Sequence, residues 1–337
     1  MSKFQKRWAL SVPYEPPLPD HAQLARDMEA LGYTDAWSYE VDGVDAFVPL
    51  AVVAQATNMR VGTAIANVYT RGPATLAQCA ASIAEMAPGR FILGIGSGSQ
   101  PIVEAWNDIR FDRPATRVKE MVTFLRSALA GERTVFKGKT FSVDGFRISR
   151  PPSHPIPIHV AALREGMLRV AGEVADGVCV NWLSAEDVPQ SVAVVREAAK
   201  AAGRDPDAIE VTARLMINID PPSDASEMVM KRAIAAYLNV PVYRQFHEWL
   251  GRSSALQGMW DNWGAGDRKA ALAAIPQKVI DDLLIHGTPA ERRAHVRRYM
   301  DAGVDTAFFS LSTMETDPVR RRELVMQALR DLAPTAG

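Results

Sequence analysis

Short apolar runs alternate with amphipathic stretches along almost the whole chain. The first run, RWALSV at 7–12, leads into a proline-rich segment and then a helical pattern from Asp20 to Leu31. That order predicts strand, loop, helix. The same unit then recurs: strands are expected at 33–40, 59–66 and 90–96, with helices through AFVPLAVVAQAT, from Pro73 to Met86 and from about Ala115 to Ala130. After an interruption it resumes with IPIHVAA, DGVCVN, a seventh strand at 208–219 and an eighth at 305–312. Eight alternating units predict an α/β fold, a (β/α)8 TIM barrel with insertions, rather than an open doubly wound sheet.

Two segments break the alternation. TVFKGKTFSVDGFRI at 134–148 alternates about Lys-Gly and Asp-Gly turns, which predicts a β-hairpin. Residues 222–284 are helical and carry Tyr237, Tyr243, Phe246, Trp249, Trp260 and Trp263. Such an insertion packs on its own core, or serves as a lid or a dimer surface. The chain 1–337 is expected to be one barrel domain bearing these two insertions.

Composition narrows the partners. The chain is 47% hydrophobic and 23% charged with a net charge of -1, so it offers no field for nucleic acid or an acidic membrane. A small-molecule substrate is expected, with no nucleic acid and no membrane. No leader pattern opens the chain and no apolar run approaches the roughly 18 residues of a membrane span, so a cytoplasmic location is expected. Cys79 and Cys179 lie in apolar contexts without a CxxC and are expected as buried free thiols. The six histidines show no HxH or HExxH spacing, so no metal site is expected. The absence of a GxSxG elbow disfavours nucleophilic hydrolysis.

GRFILGIGSGSQP, residues 89–101, has the look of a dinucleotide loop. It follows the fourth strand rather than the first, however, and Gly94, Gly96, Gly98 and Ser99 lack the third glycine of GxGxxG. Two readings remain: the glycines let a ring or phosphate approach the backbone, or they only serve a tight strand-to-helix turn.

In such a barrel, reactive groups belong where strands end and βα loops begin. Those places are Ser11, Pro13 and Tyr14; Ser38, Tyr39 and Glu40; 64–67; 96–100; 162–165; 181–184; and 218–220. Glu40 follows an apolar strand, where desolvation can raise a carboxyl pKa toward neutrality, and is the candidate acid or base; a solvated loop carboxylate is the alternative. Asp45 is placed to cap the next helix, and His286 reads as structural. With no strong built-in nucleophile, the site suits a flat cofactor that brings the reactive atom with it.

AIANVYTRGP (64–73), GRFILGIGSG (89–98) and LRVAGEVADGVCVNW (168–182) together resemble the luciferase-like superfamily. The likeness is to its deazaflavin-dependent branch related to methylenetetrahydromethanopterin reductase, and it extends through EAAKAAGRDPDAIEV and HGTPAE. The resemblance implies a barrel, usually dimeric, that binds coenzyme F420 or, in other branches, FMN. The activity it implies is hydride transfer between a deazaflavin and a small organic substrate, the alternative being an FMN-dependent monooxygenase. It further implies a non-prolyl cis bond between Ala64 and Ile65 behind the ring, with Ser38 and Asn67 lining it and Gly98 and Ser99 beside it. AALREG, with Ala162, Leu163, Arg164, Glu165 and Gly166, matches the place where amides receive the cofactor phosphate, in keeping with the anion preference of helix N-termini. Ser11 and Trp182 complete the cofactor-binding positions.

The chain departs from its kin at telling places. Related reductases carry acidic residues where this chain has Ser11 and Ser99. A related sugar-phosphate dehydrogenase has an Asp-His pair where this chain has Tyr39 and Glu40, which makes Glu40 the candidate replacement. Loss of the acidic pair also admits a third reading, a barrel that binds the cofactor without catalysis.

Overall fold

The computed structural model describes residues 3–12 and 17–335, so the strand-end positions Pro13 and Tyr14 lie outside the described residues. Eight strands form the barrel: Arg7–Val12, Asp35–Ser38, Arg60–Thr63, Phe91–Gly96, Ile158–Ala161, Gly177–Asn181, Glu210–Asn218 and Thr306–Ser312. Each pairs in parallel with the next, and the first pairs with the eighth through Arg7 opposite Thr306, so the sheet closes on itself. The third strand is interrupted: Val61 and Gly62 face Phe91 and Ile92, and a short second piece, Ala66–Asn67, rejoins the same neighbour opposite Ile95 and Gly96.

Strand periodicity sorts the side chains into two cores. Leu10, Val61, Leu93, Val160, Val178, Val211 and Phe309 point outward and pack with Leu24, Leu50, Leu76 and Leu168 of the surrounding helices. Residues of opposite parity fill the barrel in layers. The layer at the N-terminal end is ionic. Arg60 donates to the Glu210 carboxylate at 2.7 and 2.9 Å, to Thr306 at 2.8 Å and also to Asp35, which Arg7 meets at 3.2 Å. Above it lies an apolar layer of Ala9, Trp37, Ile92, Cys179 and Phe308, in which the Trp37 and Phe308 rings stack 5.8 Å apart. Burial pushes the Cys179 thiol up, with the Glu210 charge adding to it, so this cysteine stays protonated and inert. Cys79 is only half-buried.

Antiparallel strands Thr134–Lys137 and Ser142–Phe146 form a hairpin that gathers Phe136, Phe141 and Phe146 around Phe124 of the helix Pro114–Leu129. Between the seventh and eighth strands come five helices: Asp224–Leu238, Pro241–Trp249, Ser253–Gly264, Arg268–Ala273 and Gln277–Leu283. They bury a core of their own, with Ile234, Leu238, Leu256, Met259, Trp260 and Ile280, and it reaches the barrel through Trp182 and Met216. Among the described residues, no helix is long and apolar enough to cross a membrane.

Candidate functional site

The top inward layer, at the C-terminal ends of the strands, differs from those beneath it. Ser11, Tyr39, Ala64, Ala161, Asn181, Arg214 and Ser310 are each half-buried, where the layer below is almost wholly closed. The mouth also has two unlike sides. On the third to fifth strands it carries Ala64, Gly96 and Ala161, with the Ile65 side chain laid against Gly96. Around the other strands run Asn181, Arg214, Ser310, Ser11 and Tyr39. Arg214 donates to the Ser310 hydroxyl at 3.0 Å and lies over the Tyr39 ring at 4.3 Å from its centroid.

The apolar side is built by the break in the third strand. The bond between Ala64 and Ile65 is cis, as the resemblance implied. The neighbouring glycines are fitted to that break. A Cβ on Gly94 would stand 1.8 Å from the Thr63 carbonyl oxygen, and the Thr63 hydroxyl donates to the Gly94 carbonyl at 2.7 Å. Gly98 has φ +64°, and a Cβ there would fall 2.2 Å from the Asn67 side-chain nitrogen Nδ2. Gly94 thus makes room for the third strand's backbone and Gly98 for the Asn67 side chain.

Glu40 supports the same break. Its Oε1 takes the Arg71 guanidinium and, at 3.4 Å, the Ala46 amide, while Oε2 accepts from the Asn67 amide at 3.2 Å. Arg71 in turn lies over the Phe47 ring at 4.9 Å. Both carboxylate oxygens are thus engaged, and a free proton-handling carboxylate is not what the geometry presents. Asn67 is buried, and its side-chain oxygen accepts from the Tyr69 amide at 2.8 Å. Ser38 is fully buried with its hydroxyl donating to the Ala46 carbonyl at 2.5 Å, so it braces the loop instead of opening on the mouth. Asp45 accepts from the Phe47 and Val48 amides at 2.7 and 3.2 Å, just ahead of the helix Val48–Ala56.

AALREG sits at the start of the helix Glu165–Val174. Ala162 is buried, and its amide donates to the Cys179 carbonyl at 3.0 Å. Leu163 is half-buried; Arg164, Glu165 and Gly166 are exposed, and no side chain caps the helix. The Arg164 guanidinium reaches Gln245 of the insertion, and Glu165 pairs with Arg169 at 2.6 Å. Ser99 is half-buried, its carbonyl taking the Val103 amide at 3.1 Å. His286 meets Asp281 at 3.0 Å.

Trp182 joins the mouth to the insertion. Its φ is +51°, rare for a bulky residue. The ring is buried against Tyr237 at 4.5 Å, and its Nε1 is buried without a hydrogen-bond partner. Tyr243, which meets Tyr237 edge-on at 5.4 Å, bonds Asn181; burial and then Tyr237 push its hydroxyl up to about 12, so it stays protonated at neutral pH. Arg214 and Ser310 were not singled out from the sequence, and Tyr243 stood there only as one of the insertion's aromatics. The signal was present, because the period-2 pattern of EVTARLMIN puts Arg214 in the same inward row as Glu210 and Thr212. Among the described residues no group of three or more His, Cys, Asp or Glu is arranged to hold a metal.

Fold and mouth together define a (β/α)8 barrel whose half-buried, open layer lies at the C-terminal face, where barrels of this kind carry their sites. The chain belongs to the luciferase-like monooxygenase family, whose model matches residues 3–306. It is 31% identical over 303 residues to the 5,10-methylenetetrahydromethanopterin reductase of Methanolobus tindarius, covering 87% of this chain and 90% of that protein. It is 26% identical over 326 residues to a putative coenzyme F420-dependent oxidoreductase of Mycobacterium tuberculosis, covering 86% and 89%. In structure it is similar to the coenzyme F420-dependent tetrahydromethanopterin reductase of Methanopyrus kandleri, with a TM-score of 0.77 and 24% identity over 96% of this chain and 98% of the other.

Proposed function

We propose that the chain is an F420-dependent oxidoreductase that transfers a hydride between the deazaflavin and a small organic substrate. The observation that carries this reading is the two-sided mouth. Ala64 and Ala161 are half-buried there and present nothing larger than a methyl group, Ile65 lies beside them over Gly96, and a flat ring set against this side leaves the polar arc to meet a second molecule. The relatives named as reductase and F420-dependent oxidoreductase support it. When bound, the cofactor supplies the ring carbon that gives or takes hydride.

The chain's own residues do the rest. Asn67 and Gly98 fix the edge of the seat, and Glu40 holds the Asn67 backbone, which makes it a positioning residue. The uncapped amides at Arg164–Gly166, with the dipole behind them, offer the phosphate a place. Ser11, Tyr39, Asn181 and Ser310 orient the substrate from the opposite side, and holding both molecules in register is a large share of the catalytic work.

The test adds F420 and FMN separately to purified protein and follows each ring's absorbance. F420 is expected to bind and then to be reduced or oxidised by a member of a panel of alcohols, aldehydes, imines and enones. Binding of FMN alone, with oxygen consumption, would establish the monooxygenase reading that the family's name carries. F420 binding with no turnover across the panel would favour a barrel that holds the cofactor without reacting.

A further inference from the structure

The arginines of the barrel interior are not alike. At the N-terminal end Arg7 and Arg60 face Asp35 and Glu210, charge against charge. Arg214 occupies the same inward row as Glu210 but, among the described residues, meets no carboxylate within ion-pair distance. Its neighbours are the neutral Ser310 hydroxyl and the Tyr39 ring face, and its Nε is buried without a hydrogen-bond partner. The Ser11 hydroxyl, two strands away on the same layer, is also buried and unpartnered.

The carboxylates that follow the second and seventh strands are already committed. Glu40 is taken by Arg71 and the Asn67 amide. Asp220, past the end of the seventh strand, accepts from the Thr313 hydroxyl at 2.5 Å, the Met314 amide at 2.9 Å and Asn218 at 3.2 Å. A half-buried guanidinium with only neutral contacts has lost hydration without gaining a counter-charge. Its planar fork matches a carboxylate, and the surrounding protein raises the strength of that pair above its value in water.

We propose that Arg214 anchors a carboxylate on the substrate, so that the enzyme acts on small organic acids. The carboxylate lies on the Arg214 fork beside Ser310 and Ser11, which leaves the rest of the molecule to extend toward the apolar seat. The placement of the reacting carbon rests on the proposed function above; the anion site itself does not.

Calorimetric titration of the full chain, with and without cofactor, against crotonate and its neutral isostere crotonamide reads the charge requirement. Crotonate is expected to bind roughly tenfold tighter or better, an advantage that Arg214→Gln abolishes and Arg214→Lys partly keeps. Both variants should melt with the wild type and hold cofactor to within about twofold of it. The proposal is overturned if the wild type binds neither probe or does not distinguish them, or if Arg214→Gln retains the preference. Loss of cofactor affinity in both variants also overturns it, since the guanidinium would then serve the cofactor. Failure of every cofactor to bind removes the proposed function, while the titration of the cofactor-free chain still decides Arg214.

Discussion

Gly94 faces a backbone carbonyl that no side chain can push aside. Gly94→Ala is expected to cost roughly 3 kcal/mol or more, or to prevent folding, because the Cβ would overlap the Thr63 oxygen at 1.8 Å. Urea unfolding reads it, and a loss under about 1 kcal/mol would contradict the account. Glu40→Gln keeps an acceptor for the Asn67 amide but gives up the Arg71 charge pair. It is expected to lower the melting temperature and weaken cofactor binding a few-fold, leaving the pH profile of turnover unchanged. A profile that loses one limb would return Glu40 to acid-base duty. These residues also show where sequence reading stops. GIGSG was legible as backbone needing room, but what fills the room, the Thr63 carbonyl at Gly94 and the Ile65, Ala161 and Asn67 side chains at Gly96 and Gly98, depends on inter-strand register, which leaves no trace in a local pattern.

At the scale of elements, strand and helix periods placed all eight barrel strands to within a few residues, because buried parallel strands read as short apolar runs between amphipathic helices. The third strand was the exception. Residues 59–66 read as one strand, yet the ladder breaks between Thr63 and Ala66, since Ala64 and Ile65 are ordinary strand residues that carry no breaker signal. In the insertion, periodicity gave helices but not what their aromatics face, and most of them pack on one another. His247, on the helix Pro241–Trp249, is fully buried. Burial first, and then the Arg252 charge, hold its imidazole down to about 3. The unfolded chain takes up a proton near pH 6.5 that the folded helix refuses. Stability of the insertion is therefore complete above about pH 6.5 and lost as pH falls toward 3. Amide hydrogen exchange over residues 241–264 is expected to quicken between pH 7 and 5, after correction for the intrinsic rate, and His247→Gln should remove most of that slope. Equal slopes in both proteins would contradict this.

Across the whole molecule the barrel is capped at one end by charge and open at the other. Burial alone would raise the Glu210 carboxyl, but the Arg60 hydrogen bond and the charges of His159 and Arg60 outweigh it and hold the group at about 2. A depressed carboxyl contributes stability that is present above its unfolded value, near 4.5, and lost as pH falls through about 2. Denaturant midpoints are expected to fall across that window, and Glu210→Gln to be less stable at neutral pH with a shallower acid dependence; parallel curves for the two proteins would refute it. The closed barrel was readable from eight repeated units, whereas the division of its mouth into an apolar seat and a polar arc depends on which strands meet as neighbours. That division is the central claim, and Ala161→Phe tests it most directly by filling the seat from the fifth strand. In a titration of F420 followed by its absorbance, the wild type should saturate at one ring per chain, while an Ala161→Phe protein that melts normally should not bind; equal binding by the two would contradict the account.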